Sequence, residues 1–193
     1  MRLILASESP YRKELLERLN LNFECSPANI DEESIWNKNL SPLQVSTKLA
    51  EMKAQKVLDE NPNAIVIGSD QVIAINNKIL GKPKTEQKAL EQLSELQNGP
   101  HLLITAVCIL SRDKKVSFEN ETTLQIRSDL TQQELQNYIK YDLPLNCAGS
   151  YKIEGMGIAL FEKIETSDFT SIIGLPLMQT AKNLKEFGIE VFR

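Results

Sequence analysis

Asp70 follows an apolar run, Ala64-Ile65-Val66-Ile67-Gly68, within the segment Ser69-Asp70-Gln71. The run reads as a buried strand, and in open α/β sheets ligands gather where strands end. A carboxylate there can hold a divalent cation or take a proton from water. It can equally close an Asx turn. Lys53 is the second such residue: Val45, Leu49, Lys53 and Val57 are spaced four apart and share one face of a helix. A lysine in an apolar stripe is costly unless its ammonium reaches an anion or snorkels to water. The third feature is Ser7-Glu8-Ser9-Pro10-Tyr11-Arg12, where a strand ends, two hydroxyls follow and a helix begins. A helix start and a forked arginine suit an anion, although a capped helix with a solvated arginine has the same pattern. Gly81-Lys82-Pro83 adds a lysine in a loop.

These groups must be held by a regular framework. Residues 3–6 read as a buried strand. Ser9 and Pro10 open a helix over 10–19, and 22–25 form a short strand. Residues 27–40 read as an acidic, irregular loop with Asp31, Glu32 and Glu33, and Ser41-Pro42 opens a helix to about 58. A strand over 64–68 is followed by an extended stretch over 72–74, a turn at Asn76-Asn77, and a helix from Thr85 to about 96. Residues 102–110 and 116–126 form a long hairpin about Asp113-Lys114, and 131–140 a helix. A small-residue loop covers 147–157, a strand 158–164, and a last helix 175–187. Early alternation of strands and helices with a late hairpin gives an α/β fold with a mixed, twisted sheet and flanking helices, as a single domain over 1–193.

Composition narrows the chemistry. Of 193 residues, 22 are basic and 26 acidic, a net charge of -4 that argues against a general nucleic-acid binder. The three cysteines, Cys25, Cys108 and Cys147, are far apart and form no CxxC pair, so neither a zinc site nor a disulfide framework is indicated. No stretch reaches the length of a membrane span, and the first apolar run is too short for a signal peptide. The expected location is the cytoplasm. The single histidine, His101, starts an apolar run and reads as a strand-end residue without catalytic partners. Chemistry therefore falls to carboxylates, lysines, arginine and a hard metal ion.

Taken in order, Leu5-Ala6-Ser7-Glu8-Ser9-Pro10-Tyr11-Arg12, Asp31-Glu32, Lys53-Ala54, Gly68-Ser69-Asp70-Gln71, Gly81-Lys82-Pro83, Ala148-Gly149-Ser150 and Gly174-Leu175-Pro176 resemble the Maf family of nucleotide pyrophosphatases. The resemblance runs from Leu3 to about Phe187. It implies a Maf/ITPase-like fold of two lobes around a nucleotide-binding cleft. It also implies a divalent metal cofactor, Mg²⁺ or Mn²⁺, and hydrolysis between the α and β phosphorus atoms. Asp70 matches the proton acceptor, and Tyr11, Gln71 and Glu154 match positions that set substrate choice. The stretch Cys147-Ala148-Gly149-Ser150-Tyr151-Lys152-Ile153-Glu154-Gly155 looks like the branch acting on 7-methylguanosine triphosphate. One departure is Thr105-Ala106, where the family commonly carries Thr-Gly.

The mechanism expected from this likeness has Asp70 and Glu32 holding the metal while Asp70 orients or deprotonates water. Arg12, Lys53 and Lys82 neutralise phosphate charge, and Ser7 and Ser9 position the triphosphate. N7 methylation makes guanine cationic, which suits the aromatic face of Tyr11 and the carboxylate of Glu154. The partner is a small-molecule nucleotide, with no nucleic acid and no membrane, and the chain is open to forming a homodimer. Two alternatives stand beside this reading: a dTTP/UTP pyrophosphatase of the same family, and a non-catalytic nucleotide-binding regulator of cell division.

Overall fold

A computed structural model describes residues 2–36 and 39–192. It is a mixed α/β fold, as the element pattern requires. In chain order the elements are β1 (Arg2–Leu5), α1 (Pro10–Glu17), β2 (Glu24–Cys25), α2 (Glu33–Trp36), α3 (Pro42–Glu60), β3 (Ala64–Ile75), β4 (Lys78–Leu80) and α4 (Glu86–Leu96). There follow β5 (His101–Leu110), β6 (Lys115–Ile126), α5 (Gln132–Asp142), β7 (Phe161–Glu165) and α6 (Leu177–Leu184). The strands join in the order β2-β1-β3-β5-β6-β7, with β4 paired to β3. β1 runs parallel to β2 and β3, whereas β4 is antiparallel to β3 and β7 to β6.

Local chemistry explains most boundaries. Ser9, Ser41, Thr85 and Thr131 each cap a helix by accepting a backbone N–H, and Ser41 with Gln44 and Thr131 with Glu134 form capping boxes. Asn76 and Asn77 both take positive φ, as the tight turn between β3 and β4 demands.

Four expectations need correction. β3 is one continuous strand, so Asp70 lies inside it instead of at its end. The acidic loop contains α2, nucleated by Ser34, whose N–H and hydroxyl bond Asp31; residues 37 and 38 of that loop lie outside the described residues. Residues 158–160 are 3-10 helix, with β7 starting only at Phe161. The last helix is shorter than its apolar pattern: a 3-10 turn over Phe169–Ile173 precedes it and another, Lys185–Phe187, ends it.

The chain divides into two compact units. The first comprises residues up to 71, 105–120 and 168 onward; the second comprises 72–104 and 121–167. In the first unit, the period-two alternation of strands sorts the core into two layers. Ile4, Ala64, Val66, Ala106 and Cys108 pack with Ala50, Ala54 and Val57 of α3. Leu3, Leu5, Ile65, Ile67, Val107 and Ile109 pack with Leu15 and Leu16 of α1 and Leu177 and Leu184 of α6. In the second unit, α4 and α5 pack together, and His101, Tyr151 and Phe161 form a ring cluster.

Among the described residues no helix is long and apolar enough to cross a membrane. The three cysteines are free thiols.

Candidate active site

The site of the first unit is set by where β1 stops. Leu5 pairs with Ile67, and Ala6 N–H closes the ladder on the Ile67 carbonyl. β3 continues, so Gly68 to Gln71 extend past the carboxyl end of its parallel neighbour, and the rule that ligands gather at such ends still applies. Alternation then fixes the faces. Gly68 and Asp70 share the α3 side with Val66, and Ser69 and Gln71 share the opposite side with Ile67.

Gly68 makes the approach to α3 possible. A Cβ there would lie 2.2 Å from the Ala50 carbonyl oxygen and 2.7 Å from Ala54 N. With glycine against two alanines, α3 sits close enough for Lys53 to reach past the core. Its Nζ lies 2.6 Å from Asp70 Oδ1 and 2.6 Å from Glu32 Oε1. The stripe lysine therefore meets anions: its side chain is 13% exposed and that of Asp70 8%, while Glu32 is 42% exposed. Burial raises the Asp70 carboxyl above its ordinary value; Lys53, then Arg12, pull it back, and Glu32 adds to the rise. Among the described residues Asp70 Oδ2 makes no hydrogen bond.

Arg12 comes from the first turn of α1. Its Nε donates to the Gly174 carbonyl at 2.9 Å, and burial lowers its guanidinium from the usual value against the pull of Asp70 and Glu32. Its two terminal nitrogens make no hydrogen bond among the described residues, which leaves a fork of donors for an anion. Ser7 Oγ accepts from Ser9 N–H at 3.1 Å and Ser9 Oγ from Arg12 N–H at 3.4 Å. These backbone donors of the helix start are thus already used, and the hydroxyl protons are what the two serines can offer. Tyr11, on the same turn, is 37% exposed.

Gln71 differs from the others. Its Nε2 donates to Ser171 O at 2.8 Å, Thr105 Oγ1 at 2.9 Å and Ile172 O at 3.2 Å. Ser69 Oγ, fully buried, donates to the Gly174 carbonyl at 3.0 Å. In the sequence the 168–174 segment carries no functional signal beyond its glycine motif. Its one local signal is Asp168-Phe169-Thr170, an Asx pattern: Asp168 Oδ1 accepts from Thr170 N–H and Oγ1, and Oδ2 from Met178 N–H. Ala106 packs in the α3-side layer, away from the face that carries Thr105, so the Thr105-Ala106 departure leaves this network untouched.

Lys82 and Glu154 belong to the second unit and are both exposed. They gather with Lys152 and Asp142 around Cys147, whose thiol is raised chiefly by burial and is acted on by all four charges. The loops that carry them are tied together: Gln92 Nε2 donates to the Gly81 carbonyl, while Gln92 Oε1 accepts from Ser150 Oγ. Gly149 and Ser150 both take positive φ. His101 is buried, as a strand residue, with Nε2 at 3.2 Å from Tyr151 OH and Nδ1 without a partner among the described residues.

Among the described residues no three His, Cys, Asp or Glu side chains gather as a metal cluster. The donor set nevertheless fits a hard divalent cation. Asp70 and Glu32 converge on one cationic point, the Lys53 nitrogen. Mg²⁺ commonly takes one or two carboxylates and draws its remaining ligands from phosphate and water.

The family model for Maf-like protein matches residues 2–187. The chain is similar to the 7-methyl-GTP pyrophosphatase of Bdellovibrio bacteriovorus, 41% identical over 187 residues and covering 97% of each chain. It is also similar to the 7-methyl-GTP pyrophosphatase of Aliivibrio fischeri, 42% identical over 192 residues and 98% of each chain. The dTTP/UTP pyrophosphatase of Bacillus velezensis is 42% identical over 189 residues, again 98% of each chain. With the family pattern matched from β1 to the end of the last helical segment, this chain belongs to the Maf family.

Proposed function

We propose that the protein is a nucleoside triphosphate pyrophosphatase that converts 7-methyl-GTP to the nucleoside monophosphate and pyrophosphate. The observation that carries the reading is the Lys53 ammonium held between Asp70 and Glu32, beside an arginine whose terminal nitrogens make no hydrogen bond among the described residues. Lys53 fixes Asp70 through Oδ1, which leaves Oδ2 to accept a proton from water. Burial keeps the Asp70 carboxyl raised, and a raised carboxyl is a better base near neutral pH. The water oxygen bonds to the α phosphorus, its proton passes to Oδ2, and the bond from the α phosphorus to the bridging oxygen breaks. Arg12, Lys53 and Lys82 neutralise the charge that builds on the departing pyrophosphate, and the hydroxyls of Ser7 and Ser9 hold the phosphate chain. Asp70 and Glu32 would hold a divalent cation, Mg²⁺ or Mn²⁺, which supplies further charge neutralisation on phosphate oxygens.

For the base, the chemistry favours a cationic purine. The exposed ring of Tyr11 and the exposed carboxylate of Glu154 suit a positively charged ring better than a neutral pyrimidine. A second reading, hydrolysis of dTTP and UTP, is supported by a relative of that name as similar as those named for 7-methyl-GTP. A panel of 7-methyl-GTP, GTP, dTTP and UTP at low concentration, read by pyrophosphate release with and without Mg²⁺, tests both. Highest kcat/KM on 7-methyl-GTP is expected. Preference for dTTP and UTP moves the protein to the second reading, and no release from any of them rejects the enzymatic one.

A further inference from the structure

We propose that Gln71 is a positioning residue for Arg12, acting through the 171–174 turn and the Gly174 carbonyl; the inference rests on Arg12 serving the phosphates. Gln71 directly follows Asp70, yet strand alternation turns it to the opposite face of β3. There its amide nitrogen is committed to two carbonyls of one turn, Ser171 O and Ile172 O, and to Thr105 Oγ1. Two carbonyl acceptors admit only the nitrogen on that side, so the orientation of the amide is fixed. Thr105 Oγ1 donates to Ser171 O at 2.9 Å, and Gly174 N–H closes on the same oxygen at 2.9 Å.

The turn so held ends in Gly174, at φ 119, a backbone conformation that suits glycine. A Cβ at this position would stand 3.2 Å from Arg12 Nε. The Gly174 carbonyl receives Arg12 Nε at 2.9 Å and Ser69 Oγ at 3.0 Å. The path from Gln71 to Arg12 is therefore continuous: amide nitrogen, turn carbonyls, glycine carbonyl, guanidinium. One forked donor of Arg12 is spent on this anchor, and the anchor sets the direction of the other nitrogens. Displacing a positioned group by about 1 Å can cost a hundredfold in rate.

A double-mutant cycle on Gln71 and Arg12 tests this, read as kcat/KM on 7-methyl-GTP and GTP and, independently of turnover, as the Kd for inorganic pyrophosphate. Gln71→Glu keeps the side-chain shape but sets an oxygen against two carbonyls. Its retained Oε1 could still accept from a base. Expected is a loss of about tenfold or more in kcat/KM, equal for both substrates, with weaker pyrophosphate binding and no further loss when Gln71→Glu is added to Arg12→Met. Thr105→Val, which removes the second tie to Ser171 O, should behave alike and carries the cycle if Gln71→Glu fails to fold. Additive losses, a loss that depends on the base, or no loss from either variant overturns the proposal. A wild-type protein that neither releases nor binds pyrophosphate instead rejects the role of Arg12 on which the inference stands.

Discussion

Lys53 Nζ lies 2.6 Å from Asp70 Oδ1, with only 13% and 8% of the two side chains exposed. This pair joins the longest helix to a buried strand at a point where Gly68 lets their backbones approach. It also accounts for a lysine in an apolar stripe, whose ammonium reaches an anion. In the fold that lysine answers a buried carboxylate, and removing it strands the charge.

Lys53→Met should therefore destabilise the protein, by about 3 kcal/mol as for other broken buried pairs. The loss should grow with pH. Asp70 already has a folded-state carboxyl raised above its unfolded value, so its favourable contribution is present at low pH and is lost as pH rises through the folded value. Without Lys53 that value climbs further. Urea titrations at several pH values, with chelator present, measure this. A variant as stable as wild type at high pH would contradict the pairing.

Asp70→Asn should nearly abolish turnover and leave the protein folded, since Lys53 keeps Glu32 as a partner. Asparagine keeps the size, loses the basicity, and removes a charge whose burial is unfavourable. Activity at saturating Mg²⁺ within a few-fold of wild type would remove Asp70 from the mechanism. Circular dichroism and thermal melts report whether folding is unchanged.

Tyr11→Ala and Glu154→Gln should each raise KM for 7-methyl-GTP, by about tenfold, and change GTP less. The methylated ring carries the charge that an aromatic face and a carboxylate attract. Equal losses on the two substrates would assign Glu154 to phosphates instead of the base.

His101 gives a separate acid response. Burial pushes its imidazole down to about 4, so the folded state resists the proton that the unfolded chain takes up near pH 6.5. Stability tied to this residue is complete at neutral pH and is lost as pH falls from about 6.5 toward 4, amounting to about 3 kcal/mol. His101→Gln retains a partner for Tyr151 without titrating. Its unfolding free energy should change less than that of wild type between pH 7 and 4.5, and equal slopes would show that other groups drive the acid response.

Features set by neighbouring residues were legible in the sequence. The cap at Ser9, the helix starts near Ser41, Thr85 and Thr131, the Asn76-Asn77 turn and the hairpin of β5 and β6 follow from backbone chemistry within a few residues. The Lys53 stripe and the Asp70 carboxylate were legible as isolated oddities, because an apolar period makes an intruding charge stand out. Their pairing was not, since it depends on the close approach at Gly68. Nor was the commitment of Gln71 to the 171–172 carbonyls, a contact across a hundred residues that leaves no local pattern. The uninterrupted run of β3 was hidden because Ser69, Asp70 and Gln71 resemble turn residues, while their strand geometry is held by sheet pairing and by distant acceptors.

The position of water attack tests the central claim most directly. The reaction is run on 7-methyl-GTP with Mg²⁺ in water enriched in oxygen-18, and the products are weighed by mass spectrometry. Expected is one labelled oxygen in the nucleoside monophosphate, unlabelled pyrophosphate in equal amount, no inorganic phosphate, and at most a trace of product from Asp70→Asn. Label in the pyrophosphate, or release of a nucleoside diphosphate with inorganic phosphate, would contradict attack at the α phosphorus by water that Asp70 activates.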